Sequence, residues 1–237
     1  MKQIFFELKD DFRDIDWRII IITIFSSIAL LLIFYIEPVF TKIEFVRAIW
    51  GNFSSIEQSF FISINWFSSY FILYLVIPFS CILLFFKADF QAFGLGFSNL
   101  KKYIHIYLIC IFIMLPIIFI ASSMPSFKNT YPFMKSPIIT YIIIWEILYM
   151  IQFIAVEFLF RGFLLFPFCE RFGVAGILFH IAPYALIHIT KPLPEAIGSV
   201  FAGLLLGYFA YKSRSIWGGV LLHCVVALSM DILAILH

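Results

Sequence analysis

The sequence predicts an all-α fold, a bundle of about seven transmembrane helices that encloses a buried polar cavity. Hydrophobic residues make up 63% of the 237-residue chain and charged residues only 13%, and the mean hydropathy is +1.05. These values leave too little polar surface for a soluble globule. Apolar runs of membrane-spanning length recur along the chain. Ionisable residues interrupt the later runs, where a charge is costly unless it faces a partner or water.

Each predicted helix corresponds to an apolar run, and most of these runs are close to the roughly 20 residues that a membrane crossing requires. The second and fourth runs are longer, and Pro78 can divide the second into a span and an interfacial piece, which gives eight helices. In the short sixth run, Gly203 and Gly207 have the spacing of a close helix contact, although ordinary membrane glycines explain them equally well. The seven runs cover residues 17–36, 59–86, 103–123, 137–168, 173–189, 196–211 and 216–236.

The chain divides into two predicted parts. Residues 1–136 hold an amphipathic amino-terminal segment and the first three helices, and residues 137–236 hold the helices with most of the ionisable residues. With a cytoplasmic amino terminus, 11 of the 16 Lys and Arg residues fall on the cytoplasmic side, as membrane insertion favours. We therefore expect a multi-pass protein of the plasma (inner) membrane. A net charge of +2 with dispersed basic residues argues against nucleic-acid binding.

A glutamate and an arginine one helical turn apart, Glu157 and Arg161, lie inside the fourth apolar run. An arginine at this spacing can pair with the carboxylate, lower the cost of burying both groups and orient the carboxylate towards a neighbouring helix. Glu146 falls on the same stripe because eleven residues are close to three helical turns. A purely structural ion pair explains the spacing as well as a catalytic pair does.

Later runs carry histidines and an aspartate at a comparable depth. At 1.5 Å of rise per residue from the presumed cytoplasmic helix ends, Glu157 lies about 17 Å deep and His188 about 22 Å deep. On the last helix, His223 and Asp231 bracket this level at about 10 and 22 Å. We therefore expect helices four, five and seven to direct these side chains into one cavity. Zinc is a weaker alternative, because its three ligands would come from three different helices, and we expect no metal or other cofactor.

Three segments resemble signatures of the CPBP family of intramembrane proteases, which includes the Rce1-like CAAX prenyl endopeptidases and Abi-type proteins. Val156-Glu157-Phe-Leu-Phe-Arg161-Gly162 is similar to the Glu-Glu-x-x-x-Arg signature of the family. Tyr184-Ala-Leu-Ile-His188 is similar to the second signature, an aromatic residue four positions before a histidine. The segment from Phe201 to His223 resembles the third region, and the resemblance covers about residues 137–236 in the family's order and spacing.

The resemblance implies an endopeptidase that uses water inside the membrane to cleave a membrane-associated protein, with prenylated proteins among the candidate substrates. The implied partners are membrane lipid and this membrane-associated or lipidated substrate. We expect Glu157 to be the general base and Arg161 to orient it. His188 and His223 then assist proton transfer and oxyanion stabilisation, and Asp231 supports them.

The sequence departs from the family pattern at two positions. The leading glutamate of the first signature is Val156 here, and the asparagine that follows the last histidine is Ala227. The chain is therefore either a divergent protease or a membrane scaffold, chaperone or immunity factor that has lost proteolysis. A proton-coupled transporter is a third alternative, although no inverted repeat is evident.

Two more ionisable residues have alternative interpretations. Glu195 follows the loop that begins at Lys191, and it either supplies the missing carboxylate or lies in the first turn of helix six, where acidic residues are favoured. We favour the turn. His180, two turns before His188, is either a second polar group of the site or a hydrogen-bonded packing residue, and we favour packing.

Overall fold

The computed structural model describes residues 16–40, 51–86, 89–97 and 99–236. Within these ranges the chain forms helices and no strands, which confirms the predicted all-α class. The amphipathic segment that we predict at the amino terminus lies outside the described residues, apart from its last position. The α-helices are α1 (Trp17–Phe40), α2 (Ser55–Phe71), α3 (Ile77–Cys81), α4 (Leu100–Ser122), α5 (Pro125–Thr130), α6 (Ile139–Glu157), α7 (Phe166–Phe172), α8 (Leu178–Leu186), α9 (Leu193–Ser213) and α10 (Trp217–Leu236). Three π-helical segments (Ile72–Val76, Ile82–Phe86 and Phe158–Leu165) and two 3₁₀ segments (Phe90–Phe93 and Gly173–Ile177) adjoin or link them.

Six helical stretches in the described part of the chain are long and apolar enough to cross a membrane. Five of them correspond to single predicted runs, and the remaining stretch contains the fourth and fifth runs together. These stretches make the chain an integral membrane protein with several spans. They are Trp17–Tyr35, Ser55–Phe86, Leu100–Ser122, Ile139–Leu186, Leu193–Ser213 and Trp217–Leu236.

The second stretch continues through Pro78 and is not divided there. Proline has no N–H to donate to the preceding turn, and π-helical segments on both sides of α3 accommodate it without ending the helix. The stretch has 32 residues, and at 1.5 Å per residue its length of about 48 Å exceeds the roughly 30 Å hydrocarbon core. It therefore tilts or projects beyond the bilayer, and Pro78 does not create an eighth helix.

The stretch Ile139–Leu186 has 48 residues and is too long to cross the bilayer once. The helical path reaches Phe172, four residues beyond the predicted end of the fourth run at Phe168, and then meets Gly173. Gly173 has φ +60° and ψ −145°, a conformation that side-chain-bearing residues rarely adopt. A 3₁₀ turn follows and leads into α8. The change of direction that we predict between runs four and five therefore begins at this glycine.

The helices from α6 onward place the polar residues of the carboxy-terminal half together. Helix α10 packs against α4 and α6, and α8 packs against α9. Gly203 and Gly207 of α9 lie against α8, where a Cβ at Gly207 would overlap the ring of His180. The GxxxG spacing therefore marks a close helix contact. All eight residues of the π-helical segment Phe158–Leu165 are buried, so the chain is most enclosed directly after Glu157.

Candidate active site

Glu157 is the last residue of α6, and only 1% of its side chain is exposed. Its Oε1 atom lies 3.1 Å from Nη1 of Arg161 and 2.9 Å from Nδ1 of His223 on α10. Arg161 belongs to the π-helical segment that follows, and its side chain is fully buried. A buried carboxylate requires compensation for lost hydration, and here a guanidinium and an imidazole provide it.

Two consecutive glycines allow α10 to approach this carboxylate. A Cβ at Gly219 would overlap the carboxylate of Glu157, and a Cβ at Gly218 would overlap the ring of Tyr107 on α4. Glycine removes both overlaps, so the backbone of α10 lies directly beside its neighbours. This approach brings His223, one turn after Gly219, to Glu157.

The contacts of His223 define its tautomer. Nδ1 lies 3.1 Å from the carbonyl oxygen of Gly219, and because a carbonyl only accepts hydrogen bonds, Nδ1 carries the proton and donates to it. The negative charge of Glu157, 2.9 Å from the same nitrogen, favours this tautomer. Nε2 then accepts a hydrogen bond from the hydroxyl of Tyr184, at 2.7 Å. The imidazole stacks on Phe153 with 5.3 Å between ring centroids. Its side chain is 14% exposed, more than those of Glu157 and Arg161. The Gly219 carbonyl and the nearby Glu157 carboxylate therefore hold the imidazole with Nε2 as a proton acceptor.

Tyr184 on α8 connects the charged residues of the site. The guanidinium carbon of Arg161 lies 4.0 Å from the centroid of its ring, within cation–π range. The ring also lies against His188, with 4.8 Å between centroids. In the sequence, Tyr184 stands out only as the aromatic residue of the second signature, which gives no role to its hydroxyl. The available signal was that tyrosine, unlike phenylalanine, brings a polar group that needs a partner when buried.

His188 lies just beyond the carboxy-terminal end of α8. Its Nδ1 is 3.0 Å from the carbonyl oxygen of Tyr184, and because a carbonyl only accepts, Nδ1 carries the proton. Burial lowers the pKa of His188 to about 4, so its imidazole is neutral near pH 7. Nε2 of His188 is therefore unprotonated, and it is a second hydrogen-bond acceptor beside Tyr184, in addition to Nε2 of His223.

The structure thus brings together Glu157, Arg161 and His223, as the sequence predicts, and joins His188 to them through Tyr184. We refer to Glu157, Arg161, Tyr184 and His223 as the Glu157 cluster. These contacts join α6 and the segment that follows it to α8 and α10, the three helices that the depth argument selects.

Asp231 is the predicted site residue that the structure does not bring to the Glu157 cluster. It lies on α10 two helical turns beyond His223, a distance of about 12 Å along the axis. Its side chain is buried, and its carboxyl group interacts electrostatically with Glu146 of α6 and with Lys191. His223 and Asp231 therefore share a side of α10 but lie at different depths. A comparison of helix faces alone does not reveal that difference in depth.

The two residues with alternative interpretations have separate surroundings. Glu195 lies in the first turn of α9 and accepts hydrogen bonds from the hydroxyl of Tyr131, at 2.7 and 2.8 Å. Its position in that turn is the one we favoured. His180 is fully buried, with its ring nitrogens 2.6 Å from the carbonyl oxygen of Ile177 and 3.1 Å from that of Gly203. These contacts fit the packing role.

Apolar neighbours surround both positions that depart from the family pattern. Val156 is 5% exposed and belongs to the main apolar core, and Ala227 is 7% exposed and packs in a cluster with Tyr149 and Phe153. Neither place has a polar side chain of its own. In the described part of the chain, no group of three His, Cys, Asp or Glu side chains is arranged to hold a metal ion.

Comparison with known proteins adds one match. Residues 137–229 match the family model for type II CAAX prenyl endopeptidase Rce1-like proteins. None of the curated proteins or solved structures matches the chain. The matched region contains α6 to α9, most of α10 and all four residues of the Glu157 cluster. Over residues 137–229, this integral membrane protein is therefore similar to the Rce1-like family of type II CAAX prenyl endopeptidases.

Proposed function

We propose that the protein is an intramembrane endopeptidase in which the Glu157–His223 pair activates the attacking water. The observation that carries this proposal is the 2.9 Å contact between Glu157 Oε1 and His223 Nδ1, which leaves Nε2 of His223 as the basic atom. The Gly219 carbonyl fixes the tautomer, and a carboxylate this close to Nδ1 stabilises the imidazolium that forms when Nε2 takes a proton. Glu157 then acts as the base together with His223 instead of meeting the water alone.

The proton movements follow from these contacts. In the first step water adds to the peptide carbonyl carbon, and His223 Nε2 accepts the proton that the water loses. The Tyr184 hydroxyl, released from Nε2, donates a hydrogen bond to the oxyanion. In the second step the C–N bond breaks, and His223 returns its proton to the leaving amine. The carboxylate of Glu157 stabilises the positive charge between the two steps.

Arg161 and His188 have supporting roles in this proposal. Arg161 keeps Glu157 ionised and in place, because the two side chains are buried against each other. His188 is neutral and presents Nε2 as an acceptor, which suits a hydrogen bond from the water or from the substrate N–H. The hydroxyl of Tyr184 supplies the hydrogen-bond donor that Ala227 cannot provide.

For the substrate we propose a membrane-associated protein, with a prenylated carboxy-terminal segment as the first candidate. The family description names prenyl endopeptidases, and an apolar prenyl chain partitions into lipid next to the helices. The substrate then reaches the Glu157 cluster laterally from the bilayer.

We further propose that residues 137–236 form the catalytic core and that residues 1–136 form an amino-terminal part with three spans. The excess of basic residues on one side of the predicted arrangement supports a cytoplasmic amino terminus, and we propose the plasma (inner) membrane as the location. Reporter fusions at the amino terminus and in the loop before α2 test this orientation, and a reporter that reads the amino terminus as extracytoplasmic contradicts it.

The test of activity uses purified protein in detergent and a peptide library with matched farnesylated and unmodified cysteines. Wild type is expected to cleave farnesylated peptides, and His223→Gln is expected to lower the rate by about 10²–10⁴-fold, the usual range for loss of a general base. His105→Gln is the matched control, because His105 is an exposed histidine on α4. A chelator is expected to leave cleavage unchanged. Equal cleavage by wild type and His223→Gln contradicts the mechanism.

A non-cleaving binding protein is the second candidate, favoured by the apolar surroundings of Val156 and Ala227. Such a protein retains the fold and binds a lipidated partner without hydrolysing it. The same library separates the two candidates. Binding of the farnesylated peptide without cleavage by wild type supports the scaffold, whereas cleavage that depends on His223 supports the protease.

A further inference from the structure

A buried lysine lies three residues after His188, outside the Glu157 cluster. Lys191 follows the turn that ends α8, and its backbone N–H donates to the carbonyl oxygen of His188 at 3.0 Å. Its side chain is only 13% exposed. A lysine this enclosed is uncommon unless other groups compensate for its lost hydration. Whatever holds this side chain therefore also restrains the turn that carries His188.

Three other residues enclose the ammonium group. Nζ of Lys191 donates to the hydroxyl of Tyr131 at 3.2 Å and lies 4.0 Å from Oε1 of Glu195. The Tyr131 hydroxyl in turn donates to the carboxylate of Glu195. Nζ also lies 3.7 Å from the centroid of the Phe133 ring, a close cation–π distance. We call Tyr131, Phe133, Lys191 and Glu195 the clamp.

The clamp joins parts of the chain that are distant in sequence. Tyr131 and Phe133 belong to the connection between α5 and α6, Lys191 to the connection between α8 and α9, and Glu195 to the first turn of α9. Tyr131 and Glu195 are 64 residues apart along the chain. The hydrogen bonds and the cation–π contact therefore fix the α8–α9 turn against two other elements.

Charge determines how this contact responds to pH. Burial lowers the pKa of Lys191 from 10.5 to about 8, while the negative charges of Glu195 on α9 and Asp231 on α10 oppose the shift. Burial raises the pKa of Tyr131 well above its usual value, so its hydroxyl stays neutral. The turn that carries Lys191 also contains His188, whose imidazole is neutral near pH 7. Lys191 is thus the clamp residue expected to change charge just above neutral pH.

We propose that Lys191 is a positioning residue for His188 and that the clamp holds the His188 turn in its working geometry only while Lys191 is protonated. The proposal rests on the proposed function for its catalytic readout. Loss of the proton removes the attraction to Glu195 and the cation–π contact with Phe133, and the turn is then held by fewer contacts. His188 is expected to lose its fixed place beside Tyr184, and cleavage is expected to slow.

The first experiment records kcat for cleavage of a farnesylated peptide between pH 6 and pH 10. Wild-type kcat is expected to fall above about pH 8 towards a plateau about tenfold lower, as the fraction of protonated Lys191 declines. Lys191→Arg keeps its charge at every pH used, so its profile is expected to lack this fall. Lys191→Met is expected to show the low plateau throughout. The exposed Lys135→Met serves as the control and should follow wild type. A fall above pH 8 that persists in both Lys191 variants overturns the proposal.

The second experiment does not require cleavage. Diethyl pyrocarbonate modifies accessible neutral histidines, and mass spectrometry quantifies the modification at each one. His188 is expected to react several-fold faster in Lys191→Met and in Glu195→Gln than in wild type, while His223 reacts equally in all three. Thermal unfolding identifies any variant that fails to fold, and Glu195→Gln, which keeps a hydrogen-bond acceptor for Tyr131, is the milder one. Unchanged His188 reactivity in folded variants overturns the clamp, whereas faster reactivity with no cleavage by wild type overturns only the proposed function.

Discussion

The Glu157 cluster and the clamp both enclose charged side chains, but at different depths and with different partners. In the Glu157 cluster, the ion pair between Glu157 and Arg161 lies inside the membrane helices and is 0–1% exposed. In the clamp, Lys191 and Glu195 lie at a helix boundary and are 13% and 25% exposed. A charge at a helix end retains some access to water, whereas one at membrane depth depends on its protein partners. The fold is therefore expected to tolerate the loss of a charge in the clamp better than the loss of a charge in the Glu157 cluster.

Hydrogen bonding separates the two regions as well. The hydroxyl of Tyr131 in the clamp serves both Lys191 and Glu195. In the Glu157 cluster, the nitrogens of Arg161 meet no hydrogen-bond acceptor among the described residues beyond the ion pair with Glu157. Buried polar groups are usually satisfied, and exceptions concentrate at functional sites. The clamp therefore has the hydrogen bonding expected of a structural contact. In the Glu157 cluster, the nitrogens of Arg161 can still donate hydrogen bonds to a ligand.

The largest difference between the regions is expected from removal of the buried cation. Arg161→Met leaves the Glu157 carboxylate without its guanidinium, and we expect the free energy of unfolding to fall by about 3–5 kcal/mol. The matched change in the clamp, Lys191→Met, leaves a partly exposed partner and should cost much less. Thermal unfolding of the purified variants measures both changes.

A double variant provides the control for this prediction. Glu157→Gln combined with Arg161→Met removes both charges and should recover at least half of the lost stability, because no buried charge remains unpaired. Equal stability of wild type and Arg161→Met means that the ion pair does not carry the cost assigned to it.

The next effect is expected at Gly219. Alanine there places a Cβ where the Glu157 carboxylate lies, so the carboxylate must move or α10 must shift. Overpacking of this kind costs about 1–3 kcal/mol. A displacement near 1 Å at a catalytic group lowers cleavage by about 10²-fold. Unfolding and cleavage assays measure the two effects.

Gly198→Ala is the control for Gly219→Ala, since a Cβ at Gly198 meets nothing within 4 Å and the residue is exposed on α9. Its cleavage rate should equal that of wild type. If Gly219→Ala cleaves as well as Gly198→Ala, then the close approach of α10 to Glu157 is not needed for the reaction.

Composition and spacing were sufficient to predict the fold class and the convergence of the helices that carry Glu157, Arg161 and His223. Runs of apolar residues determine where helices cross a membrane, and Glu157 and Arg161 fall on one side of a helix of 3.6 residues per turn. Charges inside those runs identify the buried faces, because lipid disfavours them. These signals are local, and a single sequence carries them.

The features that the sequence did not predict depend on contacts between distant residues. The regular helical period gives no sign of the π-helical segment that contains Arg161. Lys191 and Glu195 are four positions apart, and their segment is typical of a turn, but Tyr131, which encloses them, lies some 60 residues earlier. Asp231 shares a side of α10 with His223, but its interaction with Glu146 of α6 is a contact between distant residues that the sequence does not show.

A smaller effect is expected for the hydroxyl of Tyr184. Tyr184→Phe keeps the ring on which Arg161 stacks and removes only the hydrogen bond to His223 Nε2. One hydrogen bond contributes about 1 kcal/mol to stability. Because the hydroxyl is also the proposed oxyanion donor, kcat should fall by about 10²-fold with little change in KM.

The phenylalanine variant has a control in the same molecule. Tyr208→Phe changes a tyrosine on α9 that is 40% exposed, and it should cleave like wild type. An unchanged kcat in Tyr184→Phe means that another group donates to the oxyanion. The proposed base, the Glu157–His223 pair, would not be affected by this result.

The smallest effect is expected at Asp231, the predicted site residue that lies outside both regions. Asparagine there removes a carboxyl group that adjoins Glu146, and it leaves every contact of the Glu157 cluster in place. Asp231 shares no partner with the Glu157 cluster, so Asp231→Asn should cleave within about twofold of wild type at pH 6, where Lys191 stays protonated without the charge of Asp231. A loss as large as that of His223→Gln would instead place Asp231 in the reaction, and the separation by depth along α10 would then fail as a guide to which charges are catalytic.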